Sequence, residues 1–292
     1  MATATVCQTI HADGVDVFYR SAGDKNAPVL LLLHGFPTSS FQYRNLITRL
    51  SGQYRLIAPD LPGFGFTVVP EERKYVYTFD NIAKTIEAFV DAIGLTKYAI
   101  YIFDYGAPTG LRLALSRPQS ITAIISQNGN AFLEGLGGFW DHIRPYWKDQ
   151  TSANRESIRW LTSLDATKFQ YFTGEKPEAT SLVPPETYTL DQALLDRPGN
   201  QEIQLDLFLD YQNNLALYPS FLTYLQTYKP PTLAVWGAKD EIFVPAGAEA
   251  FKRALGEQAE VVLIDGGHFA LELHLEEIAQ AIEGFLKRFK VV

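Results

Sequence analysis

Cysteine is nearly missing from this chain: Cys7 stands alone in 292 residues. A lone thiol excludes an internal disulfide and fits a reducing compartment, so the cytoplasm is the expected location. Long apolar runs are missing as well. No segment approaches the ~20 consecutive apolar residues that a bilayer-spanning helix needs, so no membrane partner is expected. The opening residues, Met1-Ala-Thr-Ala-Thr-Val-Cys-Gln, have neither a charged n-region nor an apolar h-region, and no signal peptide is expected. No run of Lys and Arg rises above background. With 25 Lys and Arg against 33 Asp and Glu the net charge is −8, which argues against nucleic acid or an anionic membrane as partner. The scattered histidines His11, His142 and His274 show no metal-ligand spacing. The turn Gly63-Phe-Gly65 lacks the glycine spacing of a dinucleotide loop. Neither a metal nor an organic cofactor is therefore expected.

What the chain does have is an alternation of short apolar runs with amphipathic helical patterns. Val15–Arg20 reads as a first strand, Val29–Leu33 as a strand buried on both faces, and Tyr54–Ala58 as the next. Between and after them come helical patterns over Phe41–Leu50 and Asp80–Ile93. The second has Ile82, Ile86, Phe89, Val90 and Ile93 on one stripe and Gly94 as its stop. Tyr98–Phe103 is strand, Gly106–Arg117 helix with Pro108 in its first turn, and Ile121–Ser126 strand again. Strand and helix resume with Thr232–Trp236, Pro245–Leu255, Val261–Ile264 and the amphipathic Leu275–Phe289. Such alternation predicts an α/β fold with a mostly parallel central sheet flanked by helices. From Asn130 to about Lys229 buried-strand runs disappear, and helical patterns are interrupted by Pro177, Pro184, Pro185, Pro198 and Pro219. The expected organisation is a core of residues 1–129 and 230–292 with a helical cap, 130–229, inserted into it.

The chemistry is concentrated at strand ends. Tyr98-Ala-Ile-Tyr-Ile-Phe-Asp104-Tyr-Gly stops an aromatic strand at an acid and turns directly into a helix, which is the form of a nucleophile elbow with aspartate at its tip. Asp240 follows the next-to-last strand and His268 the last, each at the carboxyl end where open α/β sheets place their sites. The order nucleophile, acid, histidine is that of α/β-hydrolases. Each residue also has a plainer reading: Asp104 as a helix N-cap, Asp240 as a turn residue, His268 as a core histidine. The turn after Leu31-Leu-Leu-His34-Gly-Phe36-Pro can aim the Phe36 N–H where the Tyr105 N–H also points.

Five segments together carry a family resemblance: His34-Gly-Phe-Pro, Asp60-Leu-Pro-Gly-Phe-Gly65, Asp104-Tyr-Gly-Ala, Trp236-Gly-Ala-Lys-Asp240 and Gly266-Gly-His268-Phe. They resemble the α/β-hydrolase superfamily, and within it the aspartate-nucleophile branch of epoxide hydrolases and haloalkane dehalogenases. The resemblance implies Asp104 as nucleophile, His268 as base, Asp240 as its orienting acid and the Phe36 and Tyr105 amides as oxyanion donors. One departure stands out: Ile102 occupies a place, two residues before the nucleophile, where the family carries a small residue.

The leaving group is less plain. Dehalogenases of this branch hold halide with a tryptophan after the nucleophile and an asparagine or tryptophan after His-Gly, whereas this chain has Tyr105 and Phe36 there. Tyr105 and Pro108 replace the arginines of the fluoroacetate branch. Epoxide hydrolases donate from cap tyrosines, and the segment Leu207-Phe-Leu-Asp-Tyr211-Gln resembles one such region, with Tyr171 as the nearest candidate for the other. Trp140 and Trp147 are expected to line the pocket, their indole N–H groups offering an anion site, and His34 is counted among the substrate-facing residues. The expected function is hydrolysis of a small apolar substrate, an epoxide first, through an aspartyl ester and with water as co-substrate. A haloalkane dehalogenase, an ester or lactone hydrolase and a non-catalytic small-ligand receptor are the alternatives. Oligomeric state is left open.

Overall fold

The structure, a computed structural model, describes residues 3–291. Its strands are β1 (Val6–Ala12), β2 (Val15–Ala22), β3 (Val29–Leu33), β4 (Arg55–Pro59), β5 (Tyr98–Ile102), β6 (Ile121–Gln127), β7 (Thr232–Gly237) and β8 (Ala259–Ile264). They form one sheet in the order β1-β2-β4-β3-β5-β6-β7-β8. The β1–β2 and β2–β4 pairs are antiparallel and all the others parallel. Strand β1 is an addition to the expected set. It joins β2 through Asp13-Gly14, both at positive φ (54° and 73°), the backbone that a tight two-residue hairpin requires. Its residues are mostly exposed, so the buried-run signal that exposed the other strands was absent.

Helices of seven or more residues are numbered α1 (Arg44–Leu50), α2 (Phe79–Ala92), α3 (Gly106–Ser116), α4 (Leu164–Phe172), α5 (Pro185–Leu195), α6 (Asn200–Asp210), α7 (Gln212–Tyr228), α8 (Ala246–Leu255) and α9 (Leu275–Arg288). The alternation of side chains along β3 shows how the sheet is covered. Leu31 and Leu33 pack into the cluster that holds Ile82, Ile86 and Phe89 of α2, Leu111 of α3 and Phe251 of α8. Leu30 and Leu32 pack on the opposite side with Leu46 and Ile47 of α1 and Ile278, Ile282 and Phe285 of α9. A strand buried on both faces has no polar side to present, which is why β3 and β5 read as continuous apolar runs.

Between β6 and β7 the described residues form no strand, only helices α4–α7 and shorter helical turns. Hydrogen bonds tie this stretch to the strand-end loops. Gln204 donates to the Gly63 carbonyl at 3.1 Å, Asp210 accepts from the Phe79 amide at 2.7 Å, and Arg112 of α3 donates to Asn214 at 2.7 Å. The expectation that Pro219 interrupts a helix fails: it lies inside α7. Proline forgoes one backbone hydrogen bond, and the helix continues because Tyr218, Phe221 and Tyr224 bury against the core.

Candidate active site

The site begins with the way β5 ends. Every residue of β5 is buried, and two positions later Asp104 turns the chain with φ at +46°, in the left-handed region that aspartate tolerates better than most side chains. Helix α3 starts at Gly106 immediately beyond. The turn is crowded. A Cβ on Gly35 would lie 2.1 Å from Asp104 Oδ1, so only glycine lets the loop after β3 reach the carboxylate. The large Ile102 is accommodated in a specific way: its Cγ2 would be 2.6 Å from a Cβ on Gly110, so the missing side chain one turn into α3 supplies the space.

The closeness of the two loops delivers two backbone donors. The Phe36 N–H donates to Asp104 Oδ1 at 2.6 Å, and the Tyr105 N–H donates to the same carboxylate. Asp104 Oδ2 faces His268 Nε2 at 3.8 Å, and that nitrogen has no hydrogen-bond partner although it is buried. His268, in the loop after β8, places Nδ1 2.8 Å from Asp240 Oδ2. Asp240, in the loop after β7, is fully held. Its Oδ1 accepts from the Ile242 and Phe243 amides at 2.8 and 3.1 Å, and its Oδ2 also accepts from Asn128 Nδ2 at 2.7 Å. A carboxylate so bound accepts only the N–H of Nδ1, which leaves Nε2 as the basic nitrogen aimed at Asp104.

Burial dominates the electrostatics of Asp104 and lifts its pKa to about 6, against the lowering effects of His268 and the Phe36 and Tyr105 amides. The ordinary aspartate value of ~3.9 expected from sequence is therefore exceeded, although the group is still ionised at neutral pH. On His268 burial acts downward, but the charge and hydrogen bond of Asp240 and the charge of Asp104 outweigh it, and the net direction is upward. The two acids thus favour an imidazolium while both are ionised.

Asp104 borders a narrow cavity. Phe36 and Tyr105 wall it from the core side, and Trp140, Leu161, Phe169, Gln170 and Phe208 from the helical insertion. Phe139, Trp160 and Phe169 also border a more open groove outside, so they separate the cavity from solvent. Of the cavity wall only Asp104 is ionisable near neutrality, which suits a neutral, largely apolar ligand. Among the described residues no group of three or more His, Cys, Asp or Glu is arranged to hold a metal ion. Among the described residues no helix is long and apolar enough to cross a membrane.

Residues 28–275 match the model of the alpha/beta hydrolase fold. The chain belongs to that family. An uncharacterized hydrolase of Saccharomyces cerevisiae (YNR064C) is 49% identical over 274 residues, covering 92% of this chain and 93% of its own. Epoxide hydrolase 3 of Mus musculus is 25% identical over 95% of this chain and 76% of its own length. The crystal structure of the haloalkane dehalogenase DbeA from Bradyrhizobium elkani shares the fold, with a TM-score of 0.73 at 22% identity over 98% of this chain and 99% of that one.

The hydrolase brings Asp104, His268, Asp240 and the Phe36 and Tyr105 amides together, but it distributes the other expected residues differently. Trp140 lines the cavity, yet its indole N–H donates to the Ile242 carbonyl at 2.8 Å and is not open to an anion. Trp147 does not border the cavity. It lies parallel to Tyr211 with ring centroids 6.3 Å apart and donates to the Phe208 carbonyl. The Tyr211 hydroxyl points to Tyr218, at 3.4 Å, and its ring packs 4.2 Å from that of Trp140 behind the wall. Tyr171 is turned away altogether: its hydroxyl donates to Asp191 Oδ2 at 2.6 Å and its ring stacks on Phe269. His34 is a structural pin, with Nε2 accepting from the Leu61 amide at 2.9 Å and Nδ1 donating to the Gly35 carbonyl at 3.1 Å. Both nitrogens are occupied, and burial lowers its pKa.

Two polar residues of the site were not anticipated. Asn128 stands just past β6 with φ at +51°, a strand-end position parallel to those of Asp104, Asp240 and His268 and legible by the same rule. Gln170 borders the cavity from α4, one residue from the tyrosine expected there.

Proposed function

We propose that this hydrolase cleaves a bond between saturated carbon and a leaving group through a covalent ester of Asp104, with a small, apolar epoxide as the main substrate class. The observation that carries the reading is the division of labour on one carboxylate. Oδ1 accepts from the Phe36 amide, the Tyr105 amide is directed at the same carboxylate, and Oδ2 faces an unpartnered His268 Nε2 across 3.8 Å. In the proposed first half-reaction Asp104 attacks carbon, the carbon–oxygen bond of the epoxide breaks and its electron pair stays on oxygen. In the second, His268 takes a proton from water, the water oxygen attacks the ester carbonyl, and the oxyanion forms where two backbone donors already point. One such donor is typically worth about 3–4 kcal/mol. Collapse breaks the acyl–oxygen bond, returns the His268 proton to the departing alcohol and restores Asp104. Asp240 holds the imidazole in the tautomer this requires.

Residues 130–229 serve as the cap and 1–129 with 230–292 as the catalytic core in this reading. The 25% identity to a mouse epoxide hydrolase supports it. The single, exposed Cys7 fits a cytoplasmic setting. Halide displacement from a haloalkane is the second reading, favoured by one observation: neither Tyr171 nor Tyr211 presents its hydroxyl to the cavity. A departing halide needs no proton, so it does not need a phenol. Intact mass of the His268→Gln variant exposed to a panel of epoxides, haloalkanes and esters tests both. A stable adduct on Asp104 supports the scheme and identifies the leaving group. Turnover by the wild type of a compound that leaves no adduct on the variant contradicts it.

A further inference from the structure

We infer that the side-chain amide of Gln170 is the hydrogen-bond donor that receives the leaving group. The inference rests on the attack by Asp104 proposed above, and it names a catalytic residue for that step which the tyrosine pattern of the sequence does not suggest. Helix α4 has two working faces. Ala166, Phe169 and Gln170, spaced i, i+3, i+4, line the cavity that holds Asp104. Thr167 and Tyr171, one residue further round, face α5 and are occupied there, donating to Gln192 and Asp191 at 2.8 and 2.6 Å. A shift of one residue along a helix is a rotation of about 100°, which is the difference between a side chain in the cavity and one in the helix interface.

Gln170 is only 6% exposed, and among the described residues its side-chain amide makes no hydrogen bond within the protein. Its polar atoms are not among those sealed from solvent without a partner, so the small exposure that Gln170 keeps leaves the amide free to take a ligand in the cavity. The competing donors are accounted for. The Trp140 N–H is held by Ile242, Trp160 is 45% exposed at the mouth, and Tyr211 turns to Tyr218. Tyr105 also has a buried, unpartnered hydroxyl, and it is the rival donor. Its ring is flanked by Phe79 at 4.9 Å and Phe64 at 6.3 Å.

The chemistry of an amide differs from that of a phenol. The N–H holds charge but gives up no proton at neutral pH. With an epoxide, the bond from Asp104 to carbon forms, the carbon–oxygen bond breaks, and the alkoxide is held by Gln170 Nε2–H until solvent protonates it. The regenerated carboxylic acid of Asp104 releases one proton in the second half-reaction, so the overall change is one water added. With a haloalkane the same N–H holds halide and no protonation is required.

Single-turnover alkylation in the His268→Gln background, followed by intact mass, isolates the first half-reaction. Styrene oxide and 1-bromobutane serve as probes. Gln170→Met keeps the length of the side chain without its donor, and Gln170→Glu keeps nearly its shape while replacing N–H by an acceptor. Both should slow adduct formation by roughly a hundredfold, the cost of losing one charge-stabilising donor, and by more than Tyr105→Phe, which removes only the rival hydroxyl. With His268 restored, ester hydrolysis in the Gln170 variants should proceed at the parent rate. Alkylation at the parent rate in both Gln170 variants overturns the inference, as does a loss confined to Tyr105→Phe or an equal slowing of both half-reactions. Those outcomes leave the aspartyl-ester reading standing. Absence of any adduct in the His268→Gln parent, with wild-type turnover of the same probe, removes that reading and this inference together.

Discussion

Asn128 donates to the same oxygen of Asp240 that holds His268, at 2.7 Å beside the 2.8 Å contact to the imidazole. The Asn128 side-chain Oδ1 in turn accepts from the Gly237 amide at the end of β7. Asn128 is therefore a positioning residue that fixes the Asp240 carboxylate in the plane His268 needs. A hydrogen bond to a charged group contributes about 1.5–3 kcal/mol, so Asn128→Ala should slow ester hydrolysis by roughly tenfold to a hundredfold. Alkylation should be almost unaffected, because the attack proposed for Asp104 does not involve the histidine. Pre-steady-state separation of the two steps checks this, and an equal fall in both would contradict it.

The acid limb of activity follows from the burial of Asp104. With a pKa of about 6 the nucleophile is lost by protonation below that value, and the alkylation rate should fall roughly tenfold per pH unit beneath it. His268 lowers the Asp104 pKa, so its replacement by glutamine should move this limb to higher pH. Rates of adduct formation between pH 4 and 8 test both statements. A limb near the ordinary aspartate value of ~3.9 would show that burial does not govern the nucleophile.

Asp191 couples stability to pH. Burial raises its carboxyl to about 7, opposed by the Tyr171 hydroxyl that donates to it at 2.6 Å. The folded chain then keeps a proton that the unfolded chain has already released. That stabilisation is complete below the unfolded value of about 4 and is lost as pH rises through about 7. Asp191→Asn makes the neutral form permanent. It should stabilise the protein by on the order of 1–3 kcal/mol at pH 8 and by less at pH 5. Urea unfolding at the two pH values measures this, and an equal effect at both would refute it.

Glu175 links the helical insertion to the catalytic loop. Its Oε1 accepts from the Gly267 amide at 2.9 Å and its Oε2 pairs with His274 at 3.1 Å. Gly267 immediately precedes His268. Glu175→Gln should reduce turnover by about tenfold, in line with weakening one charge-assisted hydrogen bond. It should also raise amide exchange at Gly266–Phe269. The hydrogen bond to Glu175 is the main cause of the raised His274 pKa, which should move down toward its ordinary value. Hydrogen exchange and histidine NMR titration read the two effects separately, and unchanged exchange would remove the link.

Much of this was legible before any coordinates. The doubly buried strands announced themselves as apolar runs. Asp104, Asp240 and His268 could be found because each stands where such a strand stops, a relation carried by local sequence. Strand β1 was not legible by that rule because it lies exposed at the sheet edge, although Asp13-Gly14 was a hairpin signal. The residues between β6 and β7 were harder for a different reason. On α4 the identity of the residue facing Asp104 depends on rotation about the helix axis, and a one-residue offset exchanges Gln170 for Tyr171. His34 looked chemical because it precedes a functional turn, but only the Leu61 amide and the Gly35 carbonyl reveal that both its nitrogens are engaged. Trp147 and Tyr211 were recognised as aromatic cap residues. Their partners, Phe208 and Tyr218, are set by tertiary packing that no local pattern encodes.

The central claim is that Asp104 becomes covalently bonded to the substrate, and oxygen tracing tests it most directly. One turnover of excess enzyme in heavy-oxygen water should yield product whose added oxygen is unlabelled, having come from Asp104, while the label appears in the Asp104 carboxylate. Product carrying the solvent label in that first turnover, with an unlabelled Asp104, would contradict the account.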